Sequence, residues 1–168
     1  MAATRESELA PMKNRTTVER KSERELVVTR TFNAPARLVF EAWTKPELFR
    51  QWWLPKSMGM SLRSCDMDVR VGGTYRLTFE PDGIAFFGTY SEVTPHSRLA
   101  WTNEESDENS VTTVTFEEQG GKTLLVMHEL YPSKEALDAA GTGAADATVE
   151  TFEQLDELLV ILGAPAPA

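Results

Sequence analysis

The middle of the chain alternates apolar and polar residues with a period of two, which is typical of strands that bury one face. The first such segment is ELVVTRTF at residues 25–32, and six more follow between residues 60 and 130. Turn signals separate the later segments, including Gly72-Gly73, Pro81-Asp82-Gly83 and Gly120-Gly121. Because consecutive hairpins make neighbouring strands antiparallel, the pattern predicts an antiparallel sheet of about six or seven strands.

One face of this sheet is predicted to be strongly aromatic. Every second residue along the strands places the following on it: Tyr75, Leu77, Phe79, Phe86, Tyr90, Trp101, Phe116 and His128. The first strand adds Arg30, which alternates with Val28 and Phe32. Since an arginine on an apolar face is rarely unpaired, two roles stay open, a structural pair with a carboxylate or recognition of an anionic head group of a ligand.

Apolar residues at helical spacing occur on both sides of the six later strand segments. Two short helices are predicted after the first strand, one after Asn33 and one from the capping-box sequence TKPE at residues 44–47. The chain closes with a short helix from Ser133 to Ala140, a break at Gly141–Gly143, and a long helix. The apolar stripe of that long helix is Ala144, Thr148, Phe152, Leu155, Leu159 and Leu162, with Glu150, Glu153, Gln154, Asp156 and Glu157 on the outer face.

This order of elements predicts an α+β domain in which one long helix covers a curved sheet. A concave sheet is wider than a single helix, so the order also predicts an enclosed apolar pocket of roughly 300–1,000 Å³ between them. The adjacent Trp52 and Trp53 cannot point the same way. We expect one ring to form the end wall of the pocket and the other to pack at the sheet edge or rim; the alternative is that both fill the core.

The length of 168 residues and the 41% hydrophobic content predict one domain. Residues 1–24 lack apolar periodicity and are predicted to be a disordered tail, residues 25–163 a single domain, and residues 164–168 a frayed end. A net charge of −9 argues against nucleic acid as a partner. A lone cysteine, Cys65, expected to be structural, and the lack of a signal peptide or a long apolar run predict a cytoplasmic protein without a membrane partner.

No catalytic motif, metal site or cofactor-binding motif is predicted. The two histidines, His96 and His128, lack partners at ligand spacing. Gly72-Gly73 and Gly120-Gly121 are hairpin glycines without the lysine of a phosphate loop. A core histidine with satisfied hydrogen bonds is the simpler interpretation of His128, which is also the candidate for a polar contact or proton transfer in the pocket.

Four segments of the chain resemble a known superfamily: VVTRTFNAPARLVFEAWTKPELFRQWW, DMDVRVGGTYRL, GTYSEVTPHSRLAWT and the closing helix. They are similar to the SRPBCC (START/birch-pollen-allergen-like) proteins, and most of all to the homologues of the activator of heat-shock-protein-90 ATPase. The resemblance covers residues 25–162 and implies a helix-grip fold with a deep hydrophobic cavity. Members bind lipids, polyketides or other hydrophobic molecules, some catalyse cyclisation or hydrolysis, and one branch activates a chaperone ATPase.

The closing helix departs from the pattern of that superfamily. Many members carry a glycine–tryptophan pair on its inner face, and Ala147-Thr148 stand at the corresponding positions here. A threonine is much smaller than an indole. We therefore expect a larger pocket near Thr148, unless Trp52, Trp53 or Trp101 reaches across to fill the space.

The expected function is binding of a small hydrophobic molecule for carriage, sensing or sequestration. One alternative is an enzyme of the cyclase or hydrolase type, with His128 and either Tyr75 or Tyr90 as acid–base groups. Another is a protein-interaction module resembling the chaperone activator. A chaperone partner and a homo-oligomer stay open, since no residue pattern decides either.

Overall fold

The computed structural model describes residues 16–59, 61–80, 83–104 and 110–163, with residues 140–146 described by their backbone only. In this part of the chain eight strands form one curved, unclosed antiparallel sheet. The spatial order is β1-β2-β8-β7-β6-β5-β4-β3. The strands are β1 (Thr17–Arg20), β2 (Glu25–Phe32), β3 (Ser61–Met67), β4 (Thr74–Glu80), β5 (Ala85–Thr94), β6 (Arg98–Asn103), β7 (Ser110–Gln119) and β8 (Lys122–Leu130).

The strand β1 lies inside the segment that was predicted to be a disordered tail. It pairs antiparallel with β2, with Val18 opposite Val28. All four of its residues are exposed, so it has no apolar face for a sequence pattern to reveal. The ordered domain therefore starts before residue 25. The disorder predicted for residues 1–15 and the fraying predicted for residues 164–168 lie outside the described residues.

The two predicted short helices follow β2. They are α1 (Ala36–Thr44) and α2 (Pro46–Phe49), and a 3₁₀-helix (Lys56–Met58) comes next. The predicted capping box does not form, because Thr44 ends α1 and its Oγ1 donates to the carbonyl of Phe40 at 2.9 Å. The side chain of Glu118 on β7 instead accepts from the first backbone N–H of α1, at Ala36, which ties this helix to the sheet.

The closing helix α3 (Lys134–Gly163) is continuous, so the break predicted at Gly141–Gly143 is wrong. Glycine costs about 1 kcal/mol relative to alanine in a helix, which the packing of a 30-residue helix can outweigh. Its buried face includes Phe152, Leu155 and Leu159, as the stripe predicted. The Phe152 ring meets Phe32 of β2 edge-on at 5.7 Å between centroids. The sheet grips α3, and the helix-grip fold is confirmed.

Candidate functional site

A half-open recess lies between the short helices and the strands β3 to β6. Its cavity volume is about 30 Å³, and about 410 Å³ of empty space if the open mouth is included. Rings and other apolar groups dominate its lining, with one amide and two hydroxyls. The lining residues are Trp43, Phe49, Trp53, Met67, Tyr75, Leu77, Phe86, Tyr90, Trp101 and Asn103.

The recess differs from the predicted pocket in place and in size. It lies against α1 and α2, and none of the side chains described for α3 lines it. Its volume is well below the predicted 300–1,000 Å³. The reason is aromatic packing: Trp43 lies 4.8 Å from Trp52 and 6.2 Å from Phe152 between ring centroids, so rings occupy the space between the sheet and this part of α3.

Six of the predicted ligand-binding residues meet in this recess: Trp53, Tyr75, Leu77, Phe86, Tyr90 and Trp101. Four others are core residues outside its lining: Trp52, Phe79, Phe116 and Phe152. Thr148 is partly buried on α3 and does not line the recess either. The larger pocket expected near Thr148 adjoins the undescribed side chains of residues 140–146 and stays a prediction.

The structure gives the two adjacent tryptophans different positions. Trp52 is fully buried, and its indole N–H donates to the carbonyl of Ala42 at 2.9 Å. Trp53 is partly buried and stacks on Phe49, with 4.8 Å between ring centroids. Trp52 therefore belongs to the core, whereas Trp53 forms part of the recess wall.

Trp43 of α1 lines the recess but is not among the predicted ligand-binding residues. It is 2% exposed, and its Nε1 has no hydrogen-bond partner among the described residues. Such a buried, unsatisfied donor costs about 1–3 kcal/mol. Helical spacing could predict the burial of this ring, but no sequence signal reveals that its N–H lacks a partner.

Asn103 is a second residue that the sequence did not single out. Its Oδ1 accepts from the indole N–H of Trp101 at 3.2 Å and lies 3.0 Å from the hydroxyl of Tyr75. Its Nδ2 donates to the hydroxyls of Ser110 at 2.9 Å and Thr112 at 3.0 Å. This amide thus fixes two rings of the recess and has all its hydrogen-bonding groups in use.

Tyr90 brings a free polar group to the lining. No hydrogen bond of its hydroxyl occurs in the described part of the chain, although the residue is only 5% exposed. Burial raises the pKa of Tyr90 well above its ordinary value, so the hydroxyl is neutral near pH 7 and can donate or accept. Half-buried Cys65 is likewise un-ionised, because burial raises its pKa to about 11.

Arg30 lies on the inner face as predicted, but under α3 rather than at the recess. Its Nη2 is 3.4 Å from Oδ2 of Asp156, and its Nη1 donates to the hydroxyl of Thr16 at 3.3 Å. Burial lowers the pKa of this guanidinium, and the Asp156 carboxylate opposes that shift. Of the two roles left open, the structure shows the pair with a carboxylate.

His128 was predicted on the wrong face of the sheet. The buried residues of β8 are Thr123, Leu125 and Met127, so His128 faces the other way. Alternation misled here because both faces of β8 carry apolar residues, among them the partly buried Leu124 and Val126. His128 Nε2 lies 2.7 Å from Oε2 of Glu25, and this hydrogen bond lowers the pKa of Glu25. The predicted acid–base pair with Tyr75 or Tyr90 is not formed.

Glu129 takes the inner-face position that the alternation had assigned to its neighbour. It stands opposite Leu26 on β2 and Thr112 on β7. Burial raises the pKa of Glu129 to about 7, and a hydrogen bond with Tyr131 opposes the shift. The described residues contain no cluster of side chains that could hold a metal ion, and none of their helices is long and apolar enough to cross a membrane.

Gln154 was predicted to face solvent, yet it is 9% exposed and holds the segment that carries Trp53. Its Nε2 donates to the carbonyls of Trp52 at 3.1 Å and Leu54 at 2.8 Å. Its Oε1 accepts from the backbone N–H of Lys56 at 2.9 Å. The helix α3 therefore positions one wall of the recess, although none of its described side chains belongs to the lining.

Comparisons with protein families and with solved structures identify proteins that are similar to this chain. Residues 33–160 match the family of activator of Hsp90 ATPase homolog 1-like proteins. Similar solved structures include a protein of Rhodobacter sphaeroides, with 25% identity, a TM-score of 0.79 and coverage of 88% of this chain and 99% of that one. A protein of Staphylococcus epidermidis has 26% identity and a TM-score of 0.74, covering 90% and 98%.

A protein of Nitrosomonas europaea has 25% identity and a TM-score of 0.75, covering 87% of this chain and all of its own. No curated protein matches the chain. The family match spans most of the domain, from just before α1 to near the end of α3. The chain therefore belongs to the family of activator of Hsp90 ATPase homolog 1-like proteins, a branch of the SRPBCC superfamily.

Proposed function

We propose that the protein binds a small hydrophobic molecule in the aromatic recess. The observation that carries this proposal is the lining itself: seven of its ten described residues are aromatic, and the indole N–H of one of these, Trp43, has no hydrogen-bond partner among the described residues. A mostly apolar concavity with a few convergent polar groups is the usual form of a small-molecule site. Carriage, sensing or sequestration of such a molecule would all need this property.

Entry of a ligand requires the recess to widen. A cavity of about 30 Å³ holds little more than a water molecule. Trp53 is partly buried and Phe86 is 38% exposed, so these two rings lie at the open side. Their outward rotation loses less buried apolar surface than movement of the enclosed Trp43 would. We propose that Trp53 and Phe86 form the mouth and move when a ligand enters.

A fluorescence titration with the neutral probe N-phenyl-1-naphthylamine tests this proposal, with the adjacent tryptophans as matched variants. Trp53→Ala removes a wall of the site and should weaken probe binding at least 5-fold, with a modest loss of stability. Trp52→Ala should lower the free energy of unfolding by about 3–5 kcal/mol, while the folded fraction keeps the affinity of the natural protein.

If Trp52→Ala does not fold, Trp52→Phe replaces it in the same comparison. Equal affinity of the Trp53→Ala variant and the natural protein would show that the probe binds elsewhere. Absence of saturable binding by the natural protein, for this probe and for a panel of neutral aromatic compounds, would contradict the proposed function.

The family name also describes activation of a chaperone ATPase, which suggests binding of a protein partner as a second candidate function. One structural feature favours it: Val160 and Ile161, near the end of α3, are 65% and 71% exposed. Stimulation of Hsp90 ATPase activity by the natural protein, lost in the double variant Val160→Ser/Ile161→Ser, would support this candidate. A lack of stimulation would leave the recess as the functional site.

A further inference from the structure

The unpartnered N–H of Trp43 indicates what kind of molecule the recess accepts. The chain has four tryptophans, and the indole N–H groups of Trp43, Trp52 and Trp101 differ in their hydrogen-bond acceptors. Trp52 donates to a backbone carbonyl and Trp101 to Asn103, so these two buried indoles have protein acceptors. Trp43 is as buried as they are, lines the recess, and has no acceptor among the described residues. A residue of the lining thus carries a buried donor, which the acceptor of a ligand would satisfy on reaching it.

The charge of the lining limits the ligand further. None of the ten lining residues carries a charged side chain. Arg30, the one buried cation in the described part of the chain, does not line the recess and is paired with Asp156. An anionic group inside the recess would therefore lose its hydration without gaining a counter-charge. The acceptor that suits Trp43 is a neutral one.

The geometry of the rings favours a flat molecule. Trp43 lies 5.8 Å from Trp101 and 6.3 Å from Trp53 between ring centroids, so its indole ring stands among other aromatic rings. Ring-bearing molecules make favourable stacked and edge-on contacts with such surfaces. The hydroxyl of Tyr90 supplies a second polar group, which can donate to or accept from another substituent.

We infer that the recess takes a neutral, ring-bearing molecule with an uncharged oxygen acceptor, such as a ketone, which accepts a hydrogen bond from Nε1 of Trp43. This inference rests on the proposed function and narrows its ligand class. It assigns Trp43 as a specificity-determining residue, because the indole N–H distinguishes a ketone from the hydrocarbon of the same shape. It also excludes carboxylate ligands whose head group enters the recess.

Three probes of similar size separate these possibilities: indane, 1-indanone and indane-1-carboxylate. The natural protein should bind 1-indanone about 3- to 10-fold more tightly than indane, since one hydrogen bond to a buried donor is gained. It should bind the carboxylate more weakly than either. The variant Trp43→Phe keeps an aromatic ring but lacks the donor, so its affinities for 1-indanone and indane should become equal.

Nuclear magnetic resonance of the indole N–H groups gives a readout that needs no variant to fold. Addition of 1-indanone should move the Trp43 resonance downfield, as a new hydrogen bond does, whereas indane should not. The Trp52 resonance is the internal control, because its N–H is already bonded to Ala42. Equal affinities for ketone and hydrocarbon, with no downfield shift at Trp43, would overturn this inference while leaving the proposed binding function intact. Failure of N-phenyl-1-naphthylamine and all three probes to bind would instead overturn the proposed function.

Discussion

At the scale of single residues, two polar side chains determine properties of the fold that the pattern of apolar residues does not predict. Gln154 satisfies three backbone groups of the segment after α2 and thereby holds Trp53 against Phe49. Glu129 places a carboxyl group on the inner face of β8, where burial raises its pKa to about 7. One controls the shape of the recess wall, and the other makes the stability of the fold depend on pH.

The substitution Gln154→Leu tests the first of these roles. It keeps the approximate volume of the side chain but leaves two carbonyls and one N–H without their partner, so we expect a loss of about 2–3 kcal/mol in the free energy of unfolding. Gln51→Leu is the matched control, because Gln51 is exposed and its side-chain amide donates to the carbonyl of Glu47 in its own helix region. It should change stability by less than about 0.5 kcal/mol. Equal effects of the two variants in urea denaturation would contradict the role given to Gln154.

The raised pKa of Glu129 predicts a pH dependence with a definite sign. Between its ordinary value of 4.5 and about 7, the folded protein keeps a proton on Glu129 that the unfolded chain releases. Stability from this group is therefore fully present below pH 4.5 and is lost as pH rises to 7, by at most about 3 kcal/mol. Glu129→Gln should lose less stability between pH 5 and pH 8 than the natural protein does. If the free energies of unfolding of the two proteins, measured by urea denaturation, change in parallel with pH, the predicted role of Glu129 is wrong.

At the scale of secondary-structure elements, β1 shows how a strand can form without an apolar face. Its four residues are exposed, and it adds to the sheet edge through backbone pairing with β2. Two side-chain contacts anchor the same region: Arg20 pairs with Asp138 of α3 at 2.7 Å, and Thr16 accepts from the buried Arg30. The segment therefore joins β2 to the closing helix.

Two truncations test this element. Removal of residues 1–14 should leave the melting temperature unchanged, since the contacts described above begin at Thr16. Removal of residues 1–21 takes away β1 and a hydrogen-bond partner of Arg30, which should cost about 1–2 kcal/mol, or several degrees in melting temperature. Identical melting of the two truncated proteins in differential scanning calorimetry would show that β1 does not contribute to stability.

At the scale of the whole molecule, the recess lies at one side of the main core, whose buried cluster includes several of the lining residues. The recess is built on β3 to β6, whereas Phe152, one of the core residues of α3, packs on Phe32 of β2 towards the other edge of the sheet. We therefore expect the proposed ligand, on widening the recess, to displace the short-helix side and to leave the grip of the sheet on α3 in place.

Hydrogen exchange measured by mass spectrometry should show this division. Bound N-phenyl-1-naphthylamine should slow exchange in residues 46–59 and in β4 and β5, which surround the recess. Exchange in β1 and β2, at the opposite edge, should not change. Protection spread evenly over all strands would indicate global stabilisation without a located site.

The alternation of residues determined the strands and most of their inner face, because a buried face needs apolar side chains at every second position. This was sufficient for Tyr75, Leu77, Tyr90 and Trp101, which the structure brings to one recess. It was not sufficient for β8, where both faces carry apolar residues and only pairing with β2 and β7 decides that Leu125 points inward.

The family motifs in the sequence determined the fold, and the structure confirms the helix grip. Only the tertiary structure decided how the interior is filled. The sequence shows how many rings face inward, but ring contacts such as Trp43 with Trp52 and Phe152 decide that the recess is small and lies under the short helices. Likewise, no pattern predicts that Gln154 turns inward or that Trp43 has no acceptor. Both depend on which backbone groups of distant segments come within hydrogen-bond reach, and only the folded chain determines that distance.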